Sequence, residues 1–138
     1  YEIMPSLVGS EMCIRDRLGI SVGLAVNPLT HLEVIKQALP MLDVVLIMSV
    51  NPGFGGQKFI HNTYTRLEKV RSWRDQYNPS CLIEVDGGIT PNNAASVASA
   101  GADILVAGSA VFNRSTNATE NLGRFHEALK QAGTDLIP

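Results

Sequence analysis

The sequence has few aromatic residues and no marked excess of either charge. Aromatic side chains make up 6% of the 138 residues, too few to predict a stacking surface for single-stranded nucleic acid. The formal net charge is -2 and the basic residues are scattered, so there is no electrostatic footprint for nucleic acid or an anionic membrane. No apolar run reaches the roughly 18 residues that a membrane helix needs. The sequence therefore predicts neither a nucleic-acid nor a membrane partner.

Cysteine is also scarce, while hydrophobic residues are not. Cys13 and Cys81 cannot form a disulfide framework, and no CxxC pair is present to hold a metal. Hydrophobic residues account for 45% of the chain, enough for the core of one domain. These features predict a soluble α/β domain of a reducing, cytoplasmic compartment.

The first 17 residues differ from the rest of the chain. They show no steady helical or alternating pattern, and Glu2 precedes a segment without the continuous apolar run of a signal peptide. A short strand and loop would fit this segment, as would sequence foreign to the domain. We favour a foreign leader over residues 1–17, and we expect the domain to occupy residues 18–138.

Four short apolar runs rich in β-branched residues are predicted to be strands, at residues 20–26, 44–50, 82–85 and 104–107. Each run is nearly continuous, which is typical of parallel strands covered on both faces. Amphipathic stretches between and after them predict four helices. Thr30 is the expected N-cap of the first helix, and Gly101 is expected to close the third.

The alternation of strands and helices predicts a parallel sheet with right-handed crossovers. Two architectures share this order, an open doubly wound sheet and a (β/α)8 barrel. A full barrel takes about 250 residues, so four strand–helix units would take about 125. Spacing alone leaves a small open sheet and half a barrel as alternatives.

Polar and glycine-rich segments follow the predicted strands, at the edge where α/β folds carry their chemistry. They read NP at 27–28, MSVNPGFGGQ at 48–57, EVDGGI at 84–89 and VAGSA at 106–110. Glycines leave backbone N–H groups open to an anion, and the long loop after the second strand could close over a substrate. The glycines after the third and fourth strands match the phosphate site of many barrels, so a phosphate monoester is the expected ligand.

Asp86 is the carboxylate that stands at a strand tip beside these glycines. An aspartate there can cap a helix or form a turn, and it can also exchange a proton with a substrate carbon or bind a metal. Asp43 and Asp103 precede their strands, so we expect them at the opposite edge of the sheet, in structural roles.

These segments resemble the ribulose-phosphate 3-epimerase family over residues 19–131, with NPGFGGQ as the most specific element. The resemblance implies a TIM (β/α)8 barrel, of which this chain holds strands five to eight with their helices. It implies reversible conversion of D-ribulose 5-phosphate into D-xylulose 5-phosphate by inversion at C3. It also implies a divalent cation, with zinc expected before iron, manganese or cobalt, and a homo-oligomeric full-length enzyme.

The resemblance also implies roles for individual residues. Asp86 is expected to donate a proton and to bind the metal, and Met48 to pack against the enediolate intermediate. The residues expected to form a mobile loop over the substrate are Gly53, Phe54, Gly55 and Gly56. The residues expected to hold the phosphate are Gly87, Gly88, Gly108 and Ser109.

The sequence departs from the family pattern in one respect. The family takes its other catalytic aspartate and its histidine ligands from the first half of the barrel, and no His-x-Asp strand is present here. We therefore expect the C-terminal half of an epimerase, with the phosphate site intact and the chemistry incomplete. Two alternatives stay open: a related enzyme such as an allulose-6-phosphate 3-epimerase, and a non-catalytic phosphate-binding half-barrel that dimerises through its strand edges.

Overall fold

The computed structural model describes residues 19–133, so the predicted leader at residues 1–17 lies outside the described residues. The strands are β1 (Gly23–Val26), β2 (Val44–Met48), β3 (Leu82–Asp86) and β4 (Ile104–Val106). They form one sheet in the order β1-β2-β3-β4, and every neighbouring pair is parallel. The predicted α/β class and parallel sheet are confirmed.

Helices follow each strand. They are α1 (Glu33–Ala38) with a 3-10 turn (Leu39–Met41), α2 (Thr63–Tyr77), α3 (Pro91–Ala100), α4 (Gly108–Val111) and α5 (Ala118–Gln131). Gly101 ends α3 with a φ of 126°, as predicted. No helix within residues 19–133 is long and apolar enough to cross a membrane.

The predicted N-cap of the first helix is wrong. The helix begins at Glu33 with Leu32 in the N-cap position. Thr30 instead donates its backbone N–H to the carbonyl oxygen of Asn27 at 3.0 Å, which closes a turn directly after β1. The helix therefore begins two residues later than a cap at Thr30 predicts.

The core lies on one side of the sheet. Val45 and Ile47 of β2 and Ile83 and Val85 of β3 are fully buried and form a cluster with apolar residues of the helices. The residues that alternate with them are not part of this cluster: Leu82 is exposed, and the others are half-buried. The expectation of strands covered on both faces is therefore wrong for the described residues, in which helices cover one face.

Two aspartates stabilise the amino-terminal edge of the sheet, as the sequence predicts. A carboxylate oxygen of Asp43 accepts a hydrogen bond from the backbone N–H of Val22 at 2.7 Å. A carboxylate oxygen of Asp103 accepts one from the N–H of Ile83 at 2.8 Å and lies 3.0 Å from the Arg74 guanidinium. Each aspartate thus satisfies a backbone donor at the start of a neighbouring strand.

Candidate active site

Asp86 is the last residue of β3 and lies in the middle of the carboxyl edge of the sheet. In the strand register it pairs with Met48 on β2 and with Val106 on β4. Its side chain is half-buried and belongs to the sheet face that the core does not cover. The carboxylate therefore has apolar neighbours on both sides and access from the open face.

A second carboxylate shares this face. Glu84 precedes Asp86 by two residues on β3, so both side chains point to the same side, roughly 6.6 Å apart along the strand. Leu46 and Ile104 flank Glu84 in the register. Glu84 is not among the predicted site residues, although its spacing of two from Asp86 on a strand places both on one face.

The tip after β3 requires glycine at both of its positions. Gly87 has a φ of 122° and Gly88 a φ of 64°, conformations that L side chains rarely adopt. A Cβ atom on Gly87 would lie 2.5 Å from a Val50 methyl carbon, and one on Gly88 would lie 2.5 Å from the Phe59 backbone nitrogen. The tip therefore packs directly against the two ends of the loop that joins β2 to α2.

The predicted mobile loop protrudes from the carboxyl edge. Gly53, Gly55 and Gly56 are exposed, and a Cβ atom on any of them would meet no heavy atom within 4 Å. Phe54 is 76% exposed. At the base of the loop, the Gln57 side-chain amide donates to the carbonyl oxygens of Asn51 at 2.6 Å and Phe54 at 2.9 Å. One amide group thus holds the two ends of this glycine segment together.

Gly108 and Ser109 are the first two residues of α4, directly after β4, and both are exposed. A helix N-terminus therefore lies at this position. Since Asp86 and Val106 are register partners, the tip at Gly87 and the start of α4 follow neighbouring strands at the same edge. The structure thus brings the predicted phosphate residues to one end of the sheet.

The described residues do not form a metal site on their own. Within residues 19–133 no group of three or more His, Cys, Asp or Glu side chains is placed to hold a metal ion. Asp86 and Glu84 are two carboxylates on one strand, whereas a tightly bound zinc ion takes at least three protein ligands. The donor set does not fit a divalent cation without further ligands.

A separate groove of about 330 Å³ lies between the loop after β1 and the first turns of α2. The Arg66 guanidinium donates to the carbonyl oxygens of Thr30 at 2.9 Å and Asn27 at 3.1 Å, and so joins the two elements. Its buried Nε has no hydrogen-bond partner among the described residues, and burial lowers the pKa of Arg66. None of the predicted site residues lines this groove.

Comparison with known proteins identifies the family. Residues 6–112 match the sequence model of the Ribulose-phosphate 3 epimerase family. The chain belongs to this family. The matched range begins inside residues 1–17. That these residues are a foreign leader remains a prediction. The four parallel strands with alternating helices fit part of the TIM barrel that the family resemblance implies.

Curated relatives agree with the family assignment. The ribulose-phosphate 3-epimerase of Aquifex aeolicus is 56% identical over 95 residues, which are 69% of this chain and 43% of that protein. The Helicobacter pylori (strain 26695) enzyme of the same name is 50% identical over 95 residues, 69% of this chain and 44% of that protein. The Bacillus subtilis enzyme is 44% identical over 115 residues, 83% of this chain and 52% of that protein. The chain spans about half the length of these relatives. Epimerases of this family generally bind a divalent metal.

Proposed function

We propose that the enzyme containing this chain interconverts D-ribulose 5-phosphate and D-xylulose 5-phosphate, in pentose metabolism. The main support for the proposal is the position of Asp86 between Met48 and Val106. The glycines that follow β3 and β4 lie at this same edge of the sheet. The names of the curated relatives support the same reaction. In this proposal the chain supplies the phosphate-binding end and one of two proton-transferring groups.

Asp86 is proposed to act at C3 of the sugar, next to the C2 carbonyl. From D-ribulose 5-phosphate, protonated Asp86 donates its proton to C3 of an enediolate. In the reverse direction its carboxylate takes the proton from C3, the electron pair of the broken C–H bond forms the C2–C3 double bond, and the π pair of the C2 carbonyl moves to its oxygen. Inversion then needs a proton delivered from the opposite side. We place the second donor in the remainder of the enzyme, as the family resemblance implies.

The glycine segments that follow β3 and β4 are proposed to hold the phosphate. The backbone N–H groups of Gly87, Gly88 and Gly108, together with Ser109, offer several donors to one anion. The loop of Gly53–Gly56, with exposed Phe54, is proposed to cover the bound sugar. Met48 borders Asp86 in the register and would form an apolar wall beside the enediolate.

Three further properties are part of the proposal. The cation is zinc, for which Asp86 provides one ligand and the remainder of the enzyme the others. The enzyme is cytoplasmic, which the free, buried thiol of Cys81 supports, since reducing compartments preserve thiols. Its partners are a sugar phosphate and further copies of itself.

Titration of the ¹⁵N-labelled chain with D-ribulose 5-phosphate tests the phosphate site. We expect the amide signals of Gly87, Gly88, Gly108 and Ser109 to shift, and Asp86→Asn to leave these shifts in place because the carboxylate acts at C3. D-ribulose without the phosphate is the matched ligand control, and D-allulose 6-phosphate tests the related hexulose epimerase. If no phosphate ester moves these signals, the proposed site is wrong.

A further inference from the structure

Ser49 follows Met48 at the end of β2, and its side chain is fully buried. A buried hydroxyl needs a hydrogen-bond partner, because loss of its contacts with water is costly. The Ser49 Oγ lies 2.9 Å from the carbonyl oxygen of Asp86 and 2.6 Å from that of Gly87. Its single hydrogen is therefore directed at two consecutive carbonyl groups of the tip after β3.

The backbone of Ser49 adds to this connection. Its N–H donates to the Asp86 carbonyl oxygen at 2.8 Å, and its own carbonyl oxygen accepts from the N–H of Ile60 at 2.8 Å. Ser49 thus contacts both the tip that carries Asp86 and the end of the loop between β2 and α2. No other described residue is hydrogen-bonded to the carbonyls of both Asp86 and Gly87.

The next carbonyl of the tip is held from a different element. Asn93 of α3 donates its side-chain amide to the Gly88 carbonyl oxygen at 3.0 Å and accepts from the N–H of Thr90 at 2.8 Å. Asn93 therefore holds the peptide group that follows Gly88, one peptide group after the two that Ser49 contacts. The two peptide groups between Asp86 and Gly88 depend on Ser49.

Those two peptide groups carry the donors proposed to bind phosphate. A peptide group is planar, and in the trans form its C=O and N–H point in opposite directions. A carbonyl of Asp86 directed at Ser49 thus points the N–H of Gly87 away from it, and the Gly87 carbonyl does the same for the N–H of Gly88. Glycine alone would not maintain this orientation, because its backbone populates both signs of φ.

We infer that Ser49 is a positioning residue of the phosphate site, whose backbone N–H and hydroxyl together orient the N–H groups of Gly87 and Gly88 toward the ligand. Since the first of these carbonyls belongs to Asp86 itself, Ser49 also helps to place the Asp86 carboxylate relative to the phosphate. The inference rests on the proposed function, because the ligand it invokes is the phosphate of the sugar. The structural part, the orientation of two peptide groups, stands on the hydrogen bonds alone.

Ser49→Ala tests the inference in the ¹⁵N-labelled chain. We expect the dissociation constant for D-ribulose 5-phosphate to rise about five- to tenfold, in line with the loss of one hydrogen bond. Ser49→Thr restores the hydroxyl and is expected to recover most of the affinity. Asn78→Ala is the matched control, because Asn78 also donates to two carbonyls, those of Leu39 and Leu42, both at 2.9 Å, but after α2 rather than at the tip. We expect it to change the affinity less than twofold.

A second measurement reports orientation without a ligand. The residual dipolar coupling of the Gly88 N–H vector is expected to change in Ser49→Ala, and that of Gly87 to change less, because the Asp86 carbonyl keeps its bond from the Ser49 backbone N–H. Both couplings are expected to remain as in the wild type in Asn78→Ala. If Ser49→Ala does not fold, the same couplings are compared between Ser49→Cys, which retains a weak donor, and the wild type. Unchanged couplings and unchanged affinity in a folded variant would overturn the inference. Absence of phosphate binding by the wild type would refute the proposed function, while the couplings would still decide the role of Ser49.

Discussion

Met48 and Asp86 are register partners at the ends of β2 and β3. This pairing places a thioether side chain beside the carboxylate, in the middle of the carboxyl edge of the sheet. The glycines that follow β3 and β4 lie at the same edge. Proton transfer at a carbon atom benefits from such a neighbour, because an apolar wall excludes water from a reactive intermediate. The pair thus joins the proposed proton-transferring group to the proposed binding site.

The first prediction concerns the reaction. We expect residues 1–138 alone to form no D-xylulose 5-phosphate from D-ribulose 5-phosphate, because inversion needs a second group opposite Asp86. Proton NMR of the two sugar phosphates measures the conversion directly. The Aquifex aeolicus enzyme, of which the 95 aligned residues are 43%, is the control under the same conditions. Conversion by the chain at an ordinary enzymatic rate would contradict the prediction.

The second prediction concerns the tip after β3. Gly88→Ala is expected to lower the free energy of unfolding by about 2 to 4 kcal/mol, because a left-handed backbone and a close contact both oppose the added Cβ. Urea denaturation measures the change. Gly53→Ala is the control, since a Cβ there meets nothing within 4 Å, and we expect a change of about 0.5 kcal/mol or less. Equal stability of the two variants would show that the tip is not closely packed.

The third prediction concerns the amino-terminal edge of the sheet. Asp103→Ala removes the acceptor of the Ile83 N–H and a partner of Arg74, so we expect a loss of about 1 to 3 kcal/mol in the free energy of unfolding. Asp75→Ala removes the exposed ion pair with the same arginine, at 2.6 Å, and is expected to cost about 1 kcal/mol or less. An equal cost for both variants in urea denaturation would mean that the backbone contact contributes nothing.

The fourth prediction concerns pH. Burial raises the pKa of the Cys81 thiol, with Asp43 and Asp103 adding to the increase and Arg74 opposing it. The unfolded thiol therefore ionises first, at about pH 8.5. The stability contributed by the protonated thiol is complete below that pH and is lost as the pH rises through the folded pKa.

Urea denaturation at pH 7 and pH 10 measures this effect in the wild type and in Cys81→Ala. The variant is expected to lose less stability than the wild type between the two pH values, because it lacks the ionising thiol. An identical pH dependence in both proteins would contradict the assignment to Cys81.

The sequence by itself determined the alternation of strands and helices along the chain, the place of Asp86 at a strand tip and the structural roles of Asp43 and Asp103. These features depend on local patterns: apolar runs mark strands, and residues before and after a run lie at opposite edges. The family followed from the same segments, because NPGFGGQ is long enough to be specific.

Only the tertiary structure decided what holds the site together. The Ser49 hydroxyl joins residues 37 and 38 positions away in the chain, and a hydrophobic pattern does not specify which carbonyl such a group will face. Register placed Met48 and Val106 beside Asp86, and packing showed that one sheet face is covered. The turn at Thr30 displaced the predicted helix start, because a local hydrogen bond to Asn27 competed with capping. Contacts between distant segments depend on the geometry of the whole sheet, which local preference does not encode.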